Sequence, residues 1–130
     1  MRLIDDKVLD ELSESAKQNP RLRMNLNLHN SLDDKAQQLL NALEPGTQLP
    51  IHRHLHSDET YILMRGALKV LIYSDLKVLI EEFELSNSAG RYGVKIPIGT
   101  WHSIEVLVTG TVIFEIKEGP YTPLNPNDVL

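Results

Sequence analysis

The order of apolar and polar residues predicts a helix near the start of the chain. Within residues 4–18, apolar side chains recur every four positions, at Ile4, Val8, Leu12 and Ala16, which is the spacing of an amphipathic helix. Asp5 and Asp6 lie in the first turn, where carboxylates suit the positive end of the helix dipole. Because Asn19 and Pro20 end the helix, we expect a short element that packs one apolar face on the domain.

After residue 20 the apolar residues recur every second position, which is typical of strands. In residues 23–29, one face carries Met24, Leu26 and Leu28. Similar short runs, separated by turn residues, occupy 38–43, 59–64, 67–73, 77–85, 92–96, 102–108 and 111–117. About eight short strands at this spacing predict an antiparallel sandwich or barrel. Residues 118–130 contain three prolines and are expected to form a tail along the surface.

The length of 130 residues predicts a single domain, with a helical segment at 1–20, strands in 21–117 and a tail at 118–130. The net charge is −5 and no cluster of Lys and Arg occurs, which argues against nucleic acid and anionic membranes as partners. The N-terminus turns acidic where a signal peptide is apolar. No apolar run approaches the roughly 20 residues of a membrane span. We therefore expect a cytoplasmic protein.

Histidine and cysteine content narrows the chemistry. The chain has five histidines and no cysteine, which excludes disulfides, iron–sulfur clusters and thiol nucleophiles. Three of the histidines lie within five positions, at His52, His54 and His56. In an extended segment His52 and His54 point to the same side, and two imidazoles so placed can bind a first-row divalent metal.

Two more residues, both later in the chain, can complete such a site. Glu59 opens the next predicted strand, and His102 follows the turn at 97–100; an antiparallel fold can make such distant positions neighbours. Three imidazoles and a carboxylate suit iron(II), manganese, nickel, zinc or copper(II) better than calcium or magnesium. Spacing alone does not decide this, because most His-x-His pairs are surface or structural histidines.

The motif that contains these histidines resembles a known family. Gly46, five residues, His52-Arg53-His54, four residues, Glu59, six residues and Gly66 resemble the first cupin motif over its whole length. Residues 97–102, Pro-Ile-Gly-Thr-Trp-His, resemble the core of the second cupin motif, although the glycine that usually opens this motif is out of register. The resemblance implies a mainly β fold, a small jelly-roll β-barrel with an N-terminal helix. It also implies one divalent transition metal held by four ligands: His52, His54, Glu59 and His102.

The resemblance extends beyond the two motifs. Residues 20–29, 40–46 and 114–121 are similar to the WbuC family of cupin-fold metalloproteins, so that the similarity covers nearly the whole chain. Members of that family are often encoded among bacterial surface-polysaccharide genes, and their reaction is not established. The resemblance therefore implies fold and metal more directly than it implies a reaction.

Alternation along the strands adds further candidate residues for a pocket. If Glu59 points inward, Tyr61 does so too, either as a hydroxyl for a substrate or as a lining residue bonded to a neighbour. The polar face of residues 23–29 either lines the pocket or lies at a solvent-exposed edge of the sheet. In the first case Arg23 would grip a carboxylate or phosphate, and Asn25, Asn27 and His29 would bond hydroxyl groups.

Four other residues are assigned to structural or surface roles. We interpret His56 as exposed and Trp101 as a packing residue on the side of its strand opposite His102. Glu115 and Lys117 share one face of the last strand and are interpreted as a surface ion pair.

These observations favour a metal-dependent enzyme that acts on a small polar molecule, such as a sugar or a sugar nucleotide, with Tyr61 or His29 moving protons. An iron-dependent dioxygenase and a non-catalytic binding module for small molecules are the alternatives. We also expect a homodimer, since small cupins often pair through sheet edges.

Overall fold

A computed structural model describes all 130 residues. The helix α1 spans Asp6–Gln18, two residues shorter at its start than predicted, because the side chain of Asp5 caps it by accepting a hydrogen bond from Val8 N. The face that packs on the domain carries Leu9, Leu12, Ser13 and Ala16, whereas Ile4 precedes the helix and is exposed. The helix is therefore confirmed, with its buried stripe centred one position later than predicted.

Eight strands follow, as predicted. They are β1 (Arg23–Asn27), β2 (Ala36–Leu43), β3 (Glu59–Arg65), β4 (Ala67–Tyr73), β5 (Leu79–Ser86), β6 (Gly93–Ile96), β7 (Trp101–Val106) and β8 (Thr111–Glu118), and a 3-10 turn covers Pro126–Asp128. The predicted start of β5 at residue 77 is wrong because Lys77, with a φ of 61°, belongs to the turn after Ser74. The rest of the tail forms no strand, in agreement with its prolines.

The strands form two antiparallel sheets. One sheet has the order β1-β2-β8-β3-β6 and the other the order β5-β4-β7. The mainly β, jelly-roll architecture with an N-terminal helix is confirmed, but the sheets are not closed into a barrel. No strand of one sheet pairs with a strand of the other. Instead, His52 lies in an extended segment that forms an isolated bridge to β7.

Two apolar cores hold these layers together. The larger core fills the space between the sheets with buried side chains such as Leu43, Leu63, Leu68 and Val70. The smaller core lies between α1 and the outer face of β1, β2 and β8, where Leu12 and Ala16 pack against Leu40 and Val112. The helix α1 thus seals one face of the large sheet and leaves the opposite, inner face to form the site.

No helix has the length and apolar character needed to cross a membrane.

Candidate metal centre

Backbone pairing brings the histidines of the two motifs together. His52 N donates to His102 O over 3.0 Å, and His102 N donates to His52 O over 2.9 Å. His54 lies two residues further along the same segment, and Glu59 begins β3 with its side chain 4% exposed. The ligand atoms offered by all four residues lie within 4.8 Å of one another. The structure therefore gathers His52, His54, Glu59 and His102 into one cluster.

Backbone carbonyl groups set the tautomers of two of these rings. His52 Nδ1 lies 2.9 Å from Pro50 O, and His102 Nδ1 lies 2.8 Å from Thr100 O. Since a carbonyl oxygen only accepts, each Nδ1 carries the proton and donates it. Nε2 of each ring then carries the lone pair, as in metal-binding histidines; that of His102 faces the Tyr61 hydroxyl over 3.4 Å.

Burial keeps the two rings neutral. The pKa of His52 is lowered to about 4, first by burial and then by the charge of the neighbouring His102. Burial also lowers the pKa of His102, although the hydrogen bond to Thr100 opposes the shift. Neutral imidazole is the form that binds a metal ion.

Glu59 is the charged member of the cluster. Burial alone would raise the pKa of Glu59, but the contact with His54, through both hydrogen bond and charge, outweighs it and lowers the pKa to about 2. Glu59 Oε1 lies against His54 Nε2 and otherwise is a buried oxygen without a hydrogen-bond partner. A buried carboxylate beside three imidazoles supplies negative charge and an oxygen donor to a cation held by the same cluster. The residues therefore fit a divalent transition metal held by three nitrogens and one oxygen.

A cavity of about 350 Å³ opens beside the cluster. All four members of the cluster line it, together with Arg23 and Asn25 from β1. The polar face of β1 therefore points inward at these two positions. Asn27 is not among the lining residues, although its Oδ1 accepts a hydrogen bond from Asn25 Nδ2 over 3.2 Å.

The structure does not bring His29 to this cavity. β1 ends at Asn27, so the alternation that would have aligned His29 with Arg23 stops before it is reached. His29 Nδ1 instead accepts a hydrogen bond from Gln38 N over 3.1 Å, at the edge of the sheet. Proton transfer by His29 is therefore not part of the function proposed below.

Tyr61 lies next to the cluster, on the same inner face of β3 as Glu59. Its side chain is 5% exposed, and its hydroxyl lies 3.4 Å from His102 Nε2. Burial raises the pKa of Tyr61 well above its usual value, and the charges of Glu59 and Glu115 add to the shift. The hydroxyl is thus held in its protonated form and can donate a hydrogen bond into the cavity.

The sequence interpretation missed several polar lining residues, among them Asn41, Glu115 and Lys117. The surface ion pair predicted between Glu115 and Lys117 is wrong, because Glu115 lines the cavity and no ion pair joins the two side chains. Glu115 is paired with Tyr61 across β8 and β3, and its Oε1 accepts a hydrogen bond from Asn41 Nδ2 over 3.1 Å. Burial raises the pKa of Glu115 to about 7. Glu115 and Lys117 follow the apolar Ile113 at every second position of β8, and the burial of Ile113 marks the face of the strand that points inward.

Contacts outside the cluster hold the segment that carries His52 and His54. Trp101, on the opposite side of β7 from His102, is covered by the guanidinium of Arg53 at 4.6 Å and the ammonium of Lys77 at 4.2 Å. Arg53 lies between His52 and His54, and its Nε donates to Asp128 Oδ1 over 2.7 Å. His56 is exposed and borders a separate cavity of about 220 Å³ under the C-terminal segment.

Replacing Asp128 with asparagine is expected to weaken metal binding about tenfold, because the charged bond that holds Arg53 between two ligands is lost. Competition with a chromophoric chelator measures the change in the dissociation constant for Zn²⁺. Asp33→Asn removes an exposed carboxylate without a side-chain hydrogen bond and should leave the constant unchanged. Equal affinities for Asp128→Asn and the unmodified protein would show that the Asp128–Arg53 pair does not position the ligands.

Solved structures similar to this chain identify its fold. TT1209 from Thermus thermophilus aligns with a TM-score of 0.65 at 22% identity, over 91% of this chain and 97% of that one. The Cnp3 cupin domain of Schizosaccharomyces pombe aligns with a TM-score of 0.59 at 11% identity, over 74% of this chain and 60% of that one. These likenesses show that the chain has the cupin fold.

A third similar structure belongs to a longer protein. The capsular polysaccharide assembling protein CapF from Staphylococcus aureus aligns with a TM-score of 0.58 at 23% identity, over 81% of this chain and 28% of that one.

No curated protein sequence matches this chain. Membership of the WbuC family stays a prediction. A family model described as a domain of unknown function, DUF6016, matches residues 4–85, more than half of the chain; the chain therefore belongs to the DUF6016 family.

Proposed function

We propose that this chain is a metal-dependent enzyme that acts on a small polar substrate, such as a sugar or a sugar nucleotide. The observation that carries the proposal is that the four metal-ligating side chains open directly into a cavity with polar walls. A buried structural site would be closed, whereas a catalytic site leaves room beside the ligands. The cavity volume of about 350 Å³ suits a molecule of the size of a sugar.

The side chains around the cluster have complementary abilities. A divalent metal bound there supplies Lewis acidity toward oxygen atoms of the substrate. Tyr61 donates a hydrogen bond from its hydroxyl to a substrate oxygen near His102. The carboxyl group of Glu115, held through Oε1 by Asn41, takes or returns a proton at Oε2. Arg23 and Asn25 bind the part of the substrate that lies toward β1. Such a set suits isomerisation, epimerisation or hydrolysis.

Two likenesses support a substrate of the sugar class. The resemblance of residues 20–29, 40–46 and 114–121 to the WbuC family connects the chain with surface-polysaccharide genes. The structural neighbour CapF is itself a capsular polysaccharide assembling protein. For this reason we propose sugars and sugar nucleotides as the first compounds to test.

Elemental analysis of protein purified without added metal is the first test. We expect about one first-row transition ion per chain, removable by a chelator and restored by reloading. The second step follows candidate sugars and sugar nucleotides by NMR in D₂O with metal-loaded and metal-free protein. Deuterium incorporation or a new product only in the loaded sample supports the proposal. Protein that stays metal-free even after loading contradicts it.

Measurements of O₂ consumption and of sugar binding, made on the same metal-loaded and metal-free protein, separate the alternatives. A dioxygenase would consume O₂ with a candidate substrate only when loaded with iron(II), and an iron-free protein that turns over substrate excludes it. A binding module would bind a sugar without turnover in either state. If His54→Ala removed the metal but left that affinity unchanged, the metal-centred mechanism would be wrong.

A further inference from the structure

Two guanidinium groups lie at the mouth of the cavity without acidic partners. Arg21 and Arg23 both line the cavity, and neither forms an ion pair with any carboxylate. The only hydrogen bond of the Arg23 side chain runs from Nη1 to Gln48 O over 2.8 Å, which leaves its other donors free. The Arg21 side chain forms none. In a chain with a net charge of −5, this local excess of positive charge is conspicuous.

The acidic residues inside the cavity do not neutralise these groups. Glu59 faces the histidines, and Glu115 is bonded to Asn41. Lys117 also lines the cavity, but its charge lowers the pKa of both Glu59 and Glu115, so these carboxylates already have a cation near them that is not an arginine. The pKa of Arg23 is lowered, first by burial and then by the nearby charge of Arg21, so that the two guanidinium groups repel each other. An anion between them would relieve this repulsion.

The backbone between the two arginines is also unusual. Leu22 has a φ of 57°, a left-handed conformation that costs about 1 kcal/mol or more in a residue with a branched side chain. The turn is held by hydrogen bonds from Leu22 N to Asn19 O and from Glu44 N to Leu22 O. Strained residues of this kind cluster at active sites and ligand clamps, and here the strained residue lies directly between Arg21 and Arg23.

From these observations we infer that the substrate carries an anionic group, a carboxylate or a phosphate, which Arg21 and Arg23 bind at the cavity mouth while the rest of the molecule reaches the metal cluster. The planar guanidinium group matches both anions through paired N–H donors. The inference rests on the proposed function, because it names the substrate class of the same site. It adds that a neutral sugar lacks the group that this end of the cavity recognises.

Calorimetric titration with three probes tests the inference: glucose, glucuronate and glucose 1-phosphate. Each probe is added to metal-loaded and to metal-free protein. We expect at least one anionic probe to bind about tenfold or more tightly than glucose, since a hydrogen bond to a charged group strengthens binding by about one to two powers of ten. Preference for glucuronate assigns the subsite to a carboxylate, and preference for glucose 1-phosphate assigns it to a phosphate.

Substitutions assign the effect to these arginines. Arg23→Gln should raise the dissociation constant of the preferred anion about tenfold or more, with little change for glucose, and Arg23→Lys should restore part of the affinity. Arg21→Gln, at an exposed position, provides a second variant that leaves the core intact. Arg91→Gln, at an exposed arginine in the turn before β6 and outside the cavity, is the matched control and should change nothing.

The inference is overturned if glucose binds as well as both anions, if neither anion binds, or if Arg23→Gln and Arg21→Gln leave anion binding unchanged. These results can be distinguished from a failure of the proposed function. Protein that binds metal but ignores the charge of the probe contradicts only the inference. Protein that binds no metal but retains arginine-dependent anion binding contradicts only the metal-dependent enzyme.

Discussion

Replacing His54 with alanine is expected to weaken the binding of Zn²⁺ or Co²⁺ by about a hundredfold or more. Zinc-finger peptides bind Zn²⁺ through four ligands with about 10–16 kcal/mol, and a similar share for each ligand here is about 3 kcal/mol. The substitution also removes the partner that His54 provides for the buried Glu59. Competition with a chelator measures the dissociation constant. The ligand-field spectrum of Co²⁺ reports whether coordination by the remaining residues persists.

The chain offers a matched control two residues away. His56 is exposed and lies outside the cluster, so His56→Ala removes an imidazole from the same segment without removing a ligand. We expect His56→Ala to keep the affinity and the Co²⁺ spectrum. At the same metal concentration, metal should also raise the melting temperature of the unmodified protein and of His56→Ala clearly more than that of His54→Ala. Similar affinities for the His54 and His56 variants would refute the assignment of His54 as a ligand.

Replacing Gly66 with alanine is expected to destabilise the fold by about 3 kcal/mol or more. Gly66 has a φ of 89° at the connection between β3 and β4, where L-residues are strained. A Cβ atom there would clash with Thr111 Oγ1 and would lie 2.6 Å from Thr111 Cα. Thr111 is fully buried, and its hydroxyl donates to Val108 O over 2.8 Å, so it cannot move aside easily. Chemical denaturation measures the loss in free energy of unfolding.

Gly90→Ala separates the clash from the backbone effect. Gly90 has a φ of 74°, but no atom lies within 4 Å of a Cβ built there. Its substitution should therefore cost only the conformational strain, about 1 kcal/mol. If Gly66→Ala were no more destabilising than Gly90→Ala, the close approach of β8 to this turn would not be a constraint on the sequence.

Local pattern was sufficient to predict the elements. The alternation of apolar residues predicted β1, and short strand-like runs bounded by turn residues predicted the later strands. The four-residue spacing predicted α1, and only its first residues differ because a side chain, Asp5, provides the cap. The motif spacing identified the residues that the structure gathers into a cluster.

Contacts between distant segments could not be read in the same way. The pairing of β8 with β3 places Glu115 beside Tyr61, and no local pattern encodes this register. Closure of the sheets is likewise a property of the whole topology, and the resemblance that implied a barrel could not reveal that no strand pairing joins the two sheets. His29 was misplaced for a local reason, since β1 ends two residues before it.

The cluster lies between the two sheets, so that an ion bound there would connect them. His102 belongs to the three-stranded sheet, and Glu59 belongs to the five-stranded sheet. An ion bound to both residues is a cross-link between two layers that share no strand pairing. Metal binding would therefore be coupled thermodynamically to how firmly the two layers are held together on the side where the cavity opens.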